Sequence, residues 1–188
     1  MATDAHRPPR LLGISGSLRR DSNNTTILRT LQGRIAEAEL ILFPLNEIPP
    51  YNADLEGDDL PESVQALKRA IAECDGLVFC SPEYNYGMSG VLKNALDWAS
   101  RPAFNSPLKG KPALIMTSSP GATGGARAQA QLREALAATL ARVIARPQIV
   151  FAGVHEKIRD GRFADQTGIE VALSGIDDLL REVALVTS

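Results

Sequence analysis

Five short apolar runs constrain this chain more than any other feature: RLLGIS (10–15), ELILFPL (39–45), GLVFCS (76–81), PALIMTSS (112–119) and PQIVFAG (147–153). A strand with one wet face alternates apolar and polar residues, and these runs do not. Both faces must therefore be covered, as in a parallel sheet between layers of helices. The segments between them have the helical period. Residues 22–38 place Ile27, Leu28, Leu31 and Ile35 on one face, and 61–74 does the same with Val64, Leu67 and Ile71, with Pro61 suited to a first helical position. Further helices are expected at 91–100, at the alanine-rich 125–143 and at 168–186. Five strands alternating with five helices predict one doubly wound α/β domain.

At 188 residues, 44 % hydrophobic and 22 % charged, the chain suits a single domain with a full core. We expect residues 1–9 to form a flexible lead and 10–188 the domain. A net charge of −2 with well-mixed signs gives no footprint for nucleic acid or an anionic membrane. Cys74 and Cys80 match no disulfide framework, zinc or CxxC pattern and read as buried free thiols. His6 and His155 are the only histidines, and no ligand cluster surrounds either, so no metal site is expected. MATDAHRPPR lacks the apolar core of a signal peptide, and no run approaches the ~18 residues of a membrane span. The expectation is a cytoplasmic protein. Residues 46–61 form a long connection that reads equally as a surface excursion, a lid or a subunit contact.

In an open α/β sheet, ligands bind beyond the carboxyl ends of the strands. Three loops of unusual composition fall there. SGSLRRDSNN (15–24) joins the first strand to its helix, where unsatisfied backbone N–H groups and the helix dipole favour a phosphate. Ser17, Ser22 and Asn24 add hydrogen-bonding groups, and Arg19 a guanidinium. The loop has no Walker lysine, no GxGxxG and no G-x-S-x-G, which excludes those chemistries. Ser22 or Asn23 is also a candidate helix cap.

SPEYNYG (81–87) follows the third strand. Pro82 restricts the backbone, Glu83 and Asn85 can meet a polar ring edge, and Tyr84 and Tyr86 are flat walls or half-buried core tyrosines. SSPGATGGAR (118–127) follows the fourth strand, and its glycines at 121, 124 and 125 would admit a planar ligand close to the backbone, or simply form a turn. A phosphate site and a planar polar ring site together describe a mononucleotide, and flavin mononucleotide (FMN) fits best.

GSLRRDSNN, SPEYNYGMSGVLKNALDWASRP and TSSPGATGGAR resemble, in order and spacing, the flavodoxin-like NADPH-dependent FMN reductases, a family that includes bacterial quinone, chromate, ferric and azo-dye reductases. The resemblance runs from Leu11 to Phe151. It implies a flavodoxin-like five-stranded parallel sheet of order 2-1-3-4-5. It assigns the FMN phosphate to Ser17, Leu18, Arg19, Ser22, Asn23 and Asn24. The isoalloxazine ring falls to Pro82, Glu83, Tyr84, Asn85 and Tyr86, and its pyrimidine edge to Ser119, Gly121 and Gly124. It also implies a homodimer or homotetramer.

The reaction implied is a ping-pong exchange in which NADPH or NADH passes hydride to the flavin, and a quinone or similar acceptor (chromate, ferric chelates, azo dyes) then takes the same place. No catalytic triad is required. Tyr86, Arg101 and Arg127 are candidates to touch the nicotinamide nucleotide or acceptor, the arginines alternatively a neighbouring subunit. Lys93 and Asp97 can pair on a helix surface. Trp98 reads as packing, within the core or at a dimer contact. The rival class is a flavodoxin-like electron carrier without NAD(P)H turnover, and a nucleotide-phosphate binding module without flavin is a third.

Overall fold

The structure, a computed structural model, describes residues 7–187; residues 1–6 of the expected lead lie outside the described residues. In chain order the elements are β1 (Arg10–Ser15), α1 (Asn23–Gln32), β2 (Glu39–Phe43), α2 (Glu62–Glu73), β3 (Gly76–Ser81), β4 (Glu83–Tyr84), β5 (Gly87–Met88) and α3 (Gly90–Ala99). There follow β6 (Pro112–Ser118), α4 (Ala126–Ala138), β7 (Arg142–Val143), β8 (Ile149–Phe151), β9 (Ile158–Arg159), β10 (Arg162–Phe163) and α5 (Gln166–Thr187). The main sheet is parallel in the order β2-β1-β3-β6-β7, with β8 also pairing β6. This is the flavodoxin-like order expected, except that two short strands share the fifth place. β7 pairs the start of β6 and β8 its end. Pro147, without an N–H to donate, lies in the gap between them.

Alternate side chains of the strands feed two cores, as the pleat requires. Leu12, Leu77 and Ala113 pack with α2, α3 and α4 on one face. Leu11, Val78 and Leu114 pack with α1 and α5 on the other. All six residues of β3 and all seven of β6 are buried.

Two expected helices end early. α1 stops at Gln32 rather than 38, because Gly33 closes it by donating its N–H to the Arg29 and Leu31 carbonyls, although Ile35 still packs on the core. α4 stops at Ala138 rather than 143. Leu140 takes φ 64°, which turns the chain back so that Arg142 can join β6. Pro61 stands just outside α2, as its N-cap, rather than at the first helical position.

The 46–61 connection is pinned along α3. Pro49 O accepts from Trp98 Nε1 and from Asn94 Nδ2, both at 2.8 Å, and Tyr51 meets the Trp98 ring edge-on at 4.9 Å. Trp98 is thus fully buried in the interior of the chain. Lys93 and Asp97 pair at 2.6 Å on the outer face of α3.

Gly124 has φ 60°, and a Cβ there would lie 2.9–3.1 Å from Ala152 N, Val150 Cβ and Phe151 C of the β8 segment. Gly110 has φ 76° but open space around it. We predict that Gly110→Ala costs only the left-handed backbone penalty, about 1–2 kcal/mol. Gly124→Ala adds about 1–3 kcal/mol of overpacking to the same penalty. Urea unfolding midpoints measure both, and equal losses would refute the close packing at Gly124.

Candidate flavin site

The carboxyl ends of β1, β3 and β6 converge on a cleft of about 620 Å³. β1 reaches it through Gly16, whose N–H donates to Cys80 O at 2.9 Å. There is no room for a side chain at Gly16, since a Cβ would lie 2.8 Å from Ser81 Oγ and 2.9 Å from Ser89 Oγ. The chain then forms a compact loop. Ser15 Oγ accepts from Ser17 N and from the Thr25 hydroxyl, and Ser17 Oγ accepts from Arg19 N.

Ser22 is the α1 cap, its hydroxyl accepting from Thr25 N at 3.2 Å. It is 2 % exposed and does not line the cleft, so its role is to hold the helix end. Asn23 and Asn24, the first two residues of α1, do line it, and first-turn N–H groups have no intrahelical acceptor. The Asn24 carboxamide oxygen accepts from Ser118 Oγ at 2.9 Å and from the Cys80 thiol at 3.3 Å. This fixes the amide with its NH2 as the remaining donor. Burial pushes the Cys80 thiol far above the ordinary range, so it stays protonated and can donate to Asn24. Burial likewise raises Cys74, to about 11. Both cysteines are free.

Ser17 and Arg19 line the cleft together with Arg20, while Leu18 turns away to a second cleft beside β2. The donor set therefore fits a phosphate: first-turn N–H groups, the Asn24 amide, the Ser17 hydroxyl and guanidinium groups.

The second motif forms the β4–β5 hairpin. Asn85 (φ 49°) and Tyr86 (φ 69°) occupy its two turn positions, both in the left-handed region as a two-residue turn of this hand requires. Asn85 tolerates this; Tyr86 is a strained choice. Pro82, Glu83 and Tyr84 line the cleft, whereas Asn85 and Tyr86 lie beyond it at the tip.

The Glu83 carboxylate has a different occupation from the expected ring edge. It accepts from the Arg127 side chain at 2.7 Å and from the Arg127 N–H at 3.0 Å at the start of α4, and its side chain is only 7 % exposed. The Arg127 guanidinium also lies 3.9 Å from the centre of the Tyr86 ring, a cation–π contact. Arg127 is thus at the rim, tied to both residues.

In the third loop Ser119 lines the cleft and donates its N–H to Phe151 O. Gly121 donates its N–H to Ser119 Oγ. Gly124 is a glycine because β8 presses on it, and neither Gly121 nor Gly124 lines the cleft. Arg101 is not brought to the site. It follows α3, which runs away from the strand ends, and it lies over the Tyr51 ring at 5.5 Å near Glu56.

Sequence reasoning missed Arg20, Thr26, Arg29, Ser118 and a wall formed by His155, Ile158 and Gly161. That wall is the β9–β10 hairpin with the helical turn Val154–Lys157 that leads into it, and the hairpin's Asp160-Gly161 turn was a readable signal. Among the described residues no cluster could hold a metal ion, and no helix is long and apolar enough to cross a membrane.

A doubly wound sheet with a phosphate loop, an aromatic hairpin and a serine-proline loop on one cleft defines the flavodoxin-like flavoproteins. The family model for NADPH-dependent FMN reductases matches residues 9–156, and the chain belongs to that family. It is 39 % identical to an NAD(P)H-dependent FMN reductase of Pseudomonas aeruginosa over 164 residues, 86 % of this chain and 88 % of that one. It is 42 % identical to a quinone reductase of Escherichia coli over 159 residues, 81 % and 84 % of the two chains. A solved flavoenzyme from Paracoccus denitrificans, an NAD(P)H:(acceptor) oxidoreductase, superposes with a TM-score of 0.82 at 32 % identity, covering 94 % of this chain and 97 % of its own.

The β9–β10 wall is anchored by Asp165, which pairs with Lys157 at 2.6 Å and accepts the Gly168 N–H. Lys157, first, and that N–H hold its carboxyl below the usual carboxylate range. On acidification the unfolded chain takes up this proton first. The stabilisation is therefore present above the unfolded value, about 3.9, and is lost as pH falls through the folded one. We predict that the thermal midpoint falls more steeply from about pH 5 to pH 3 in the parent than in Asp165→Asn. Parallel melting curves would remove Asp165 from that role.

Proposed function

We propose that two-electron reduction of quinones by NAD(P)H, at FMN held in the 620 Å³ cleft, is the reaction of this protein. That it is an FMN-dependent, NAD(P)H-using oxidoreductase rests on its family. The finer reading is carried by one observation: SGSLRRDSNN and SPEYNYG, far apart in sequence, wall a single cleft. The relatives named as quinone reductases supply the acceptor class.

Ser17, Arg19, Asn23 and Asn24 hold the phosphate, and Pro82, Tyr84, Ser118 and Ser119 flank the ring. Bound FMN would supply the hydride chemistry, by which one hydride from NAD(P)H and one proton from water convert a quinone to its hydroquinone. The chain's own part is position and exclusion. Glu83 and Arg127 lock the hairpin to α4, and Asn24 locks α1 to the ends of β3 and β6.

Nicotinamide and acceptor use the same open face in turn, a ping-pong order, with Tyr86 and Arg127 at its rim. Chromate, ferric chelates and azo dyes are incidental acceptors at that face. Assembly as a homodimer or homotetramer in the cytoplasm completes the reading, with exposed Tyr86 and Phe104 as large apolar groups for such contacts to cover.

The purified protein should quench the fluorescence of added FMN and oxidise NAD(P)H when a benzoquinone is supplied. No quenching overturns the flavin site, whereas FMN binding without turnover on several quinones leaves an electron carrier. Arg19→Ala should weaken FMN binding by about 10- to 100-fold, the worth of one charge-assisted contact. Unchanged affinity removes Arg19 from the phosphate site.

A further inference from the structure

A second cleft, of about 480 Å³, lies between α1 and the ends of β1 and β2. It shares Ser17, Arg19, Arg20 and Arg29 with the flavin cleft, so the two lie side by side at the 15–24 loop. Thr25, Arg29 and Gln32 recur at i, i+4 and i+7 and present one face of α1 to it. Opposite them, Leu42, Phe43 and Leu45 at the end of β2 give an apolar floor, and Asn46 and Gln32 add amide groups at its edge. Gln32 Nε2 donates to Leu40 O, which leaves its oxygen as an acceptor.

The charges here are unspent. Arg7, Arg10, Arg101, Arg127, Arg142, Arg146 and Arg181 all have carboxylate partners. Arg20 and Arg29 are exposed and have neither an ion pair nor a side-chain hydrogen bond among the described residues. Asp21 is the one acidic residue lining either cleft apart from the engaged Glu83. Two unpaired guanidinium groups beside an apolar floor with amide edges have the chemistry of a site for a purine nucleotide phosphate. The cleft lies beyond the carboxyl end of β2, beside the switch point between β1 and β3 where the flavin cleft opens.

We propose that this cleft holds the adenosine end of the dinucleotide, and that Arg20 and Arg29 select the 2′-phosphorylated form, NADPH, over NADH. The inference rests on the FMN reading above, since the nicotinamide end must reach the flavin cleft. An extended dinucleotide would lie across the shared arginines, with its planar base on the Phe43 side.

The test is calorimetric titration of the FMN-loaded protein with adenosine 2′,5′-bisphosphate and with 5′-AMP, which differ only in the 2′-phosphate. The parent should prefer the bisphosphate at least about tenfold, as one phosphate–arginine contact provides. Arg20→Ala and Arg29→Ala should each lose most of that preference, with a much smaller loss of 5′-AMP affinity and of FMN affinity, since both also line the flavin cleft. Gln32→Trp, which fills the cleft from the exposed side of α1, should abolish binding of both nucleotides and spare FMN. Arg69→Ala, on α2, should change nothing.

Equal affinity of the parent for the two nucleotides overturns the proposal. So does loss of FMN and bisphosphate by the same factor in the arginine variants, or undiminished binding in Gln32→Trp. If the parent binds no FMN, the flavin reading fails by itself, and the same nucleotide comparison on the flavin-free protein still decides the second cleft.

Discussion

Where β1 ends against β3, the backbone of Gly16 lies so close to two buried hydroxyls, Ser81 and Ser89, that no larger residue fits. Three parts of the site meet at this contact. Gly16 begins the phosphate loop, Ser81 ends the strand that leads into the aromatic hairpin, and Ser89 caps α3 by accepting from Leu92 N. The Gly16 N–H is bonded to Cys80 O, so the loop starts as an extension of the sheet rather than as a free excursion. Any side chain here would separate the two walls proposed for the phosphate and the ring.

Asn24 does similar work at the start of α1. A single buried carboxamide accepts from a thiol on β3 and a hydroxyl on β6, so α1 is positioned by the two central strands rather than by its own loop. Both donors are uncharged groups, and the high proton affinity that burial confers on Cys80 keeps its contact intact at physiological pH. The candidate phosphate site is thus built on the rigid centre of the sheet, where preorganised donors need little rearrangement to meet an anion.

The central strands were legible because burial on both faces leaves an unbroken apolar record. β1 and β3 match the expected runs residue for residue, and β6 differs at its last residue. Helix ends were less legible because periodicity persists after the backbone has turned, as at Ile35 and Leu140. The site was read well at the level of loops and less well at the level of side chains. Arg101 follows the flavin motif closely in sequence, yet ten residues of α3 carry it about 15 Å from the strand ends. Glu83 had the right position, but sequence alone did not reveal that the start of α4 would claim its carboxylate. The β9–β10 wall went unread although its Asp-Gly turn is a strong local signal, because nothing in the sequence says which sheet edge a hairpin will face.

The engagement of Glu83 also shapes the field around the cleft. Its charge is matched by Arg127 and by the N–H groups that open α4, so the hairpin wall contributes little negative potential. Arg19, Arg20 and Arg29, opposed by Asp21 alone, then set the sign at the mouth. A molecule with a net charge of −2 therefore offers anions a locally positive approach. Anionic dinucleotides such as NAD(P)H are drawn in by long-range attraction that an uncharged acceptor does not feel, so their encounter slows as salt rises while that of an uncharged acceptor does not.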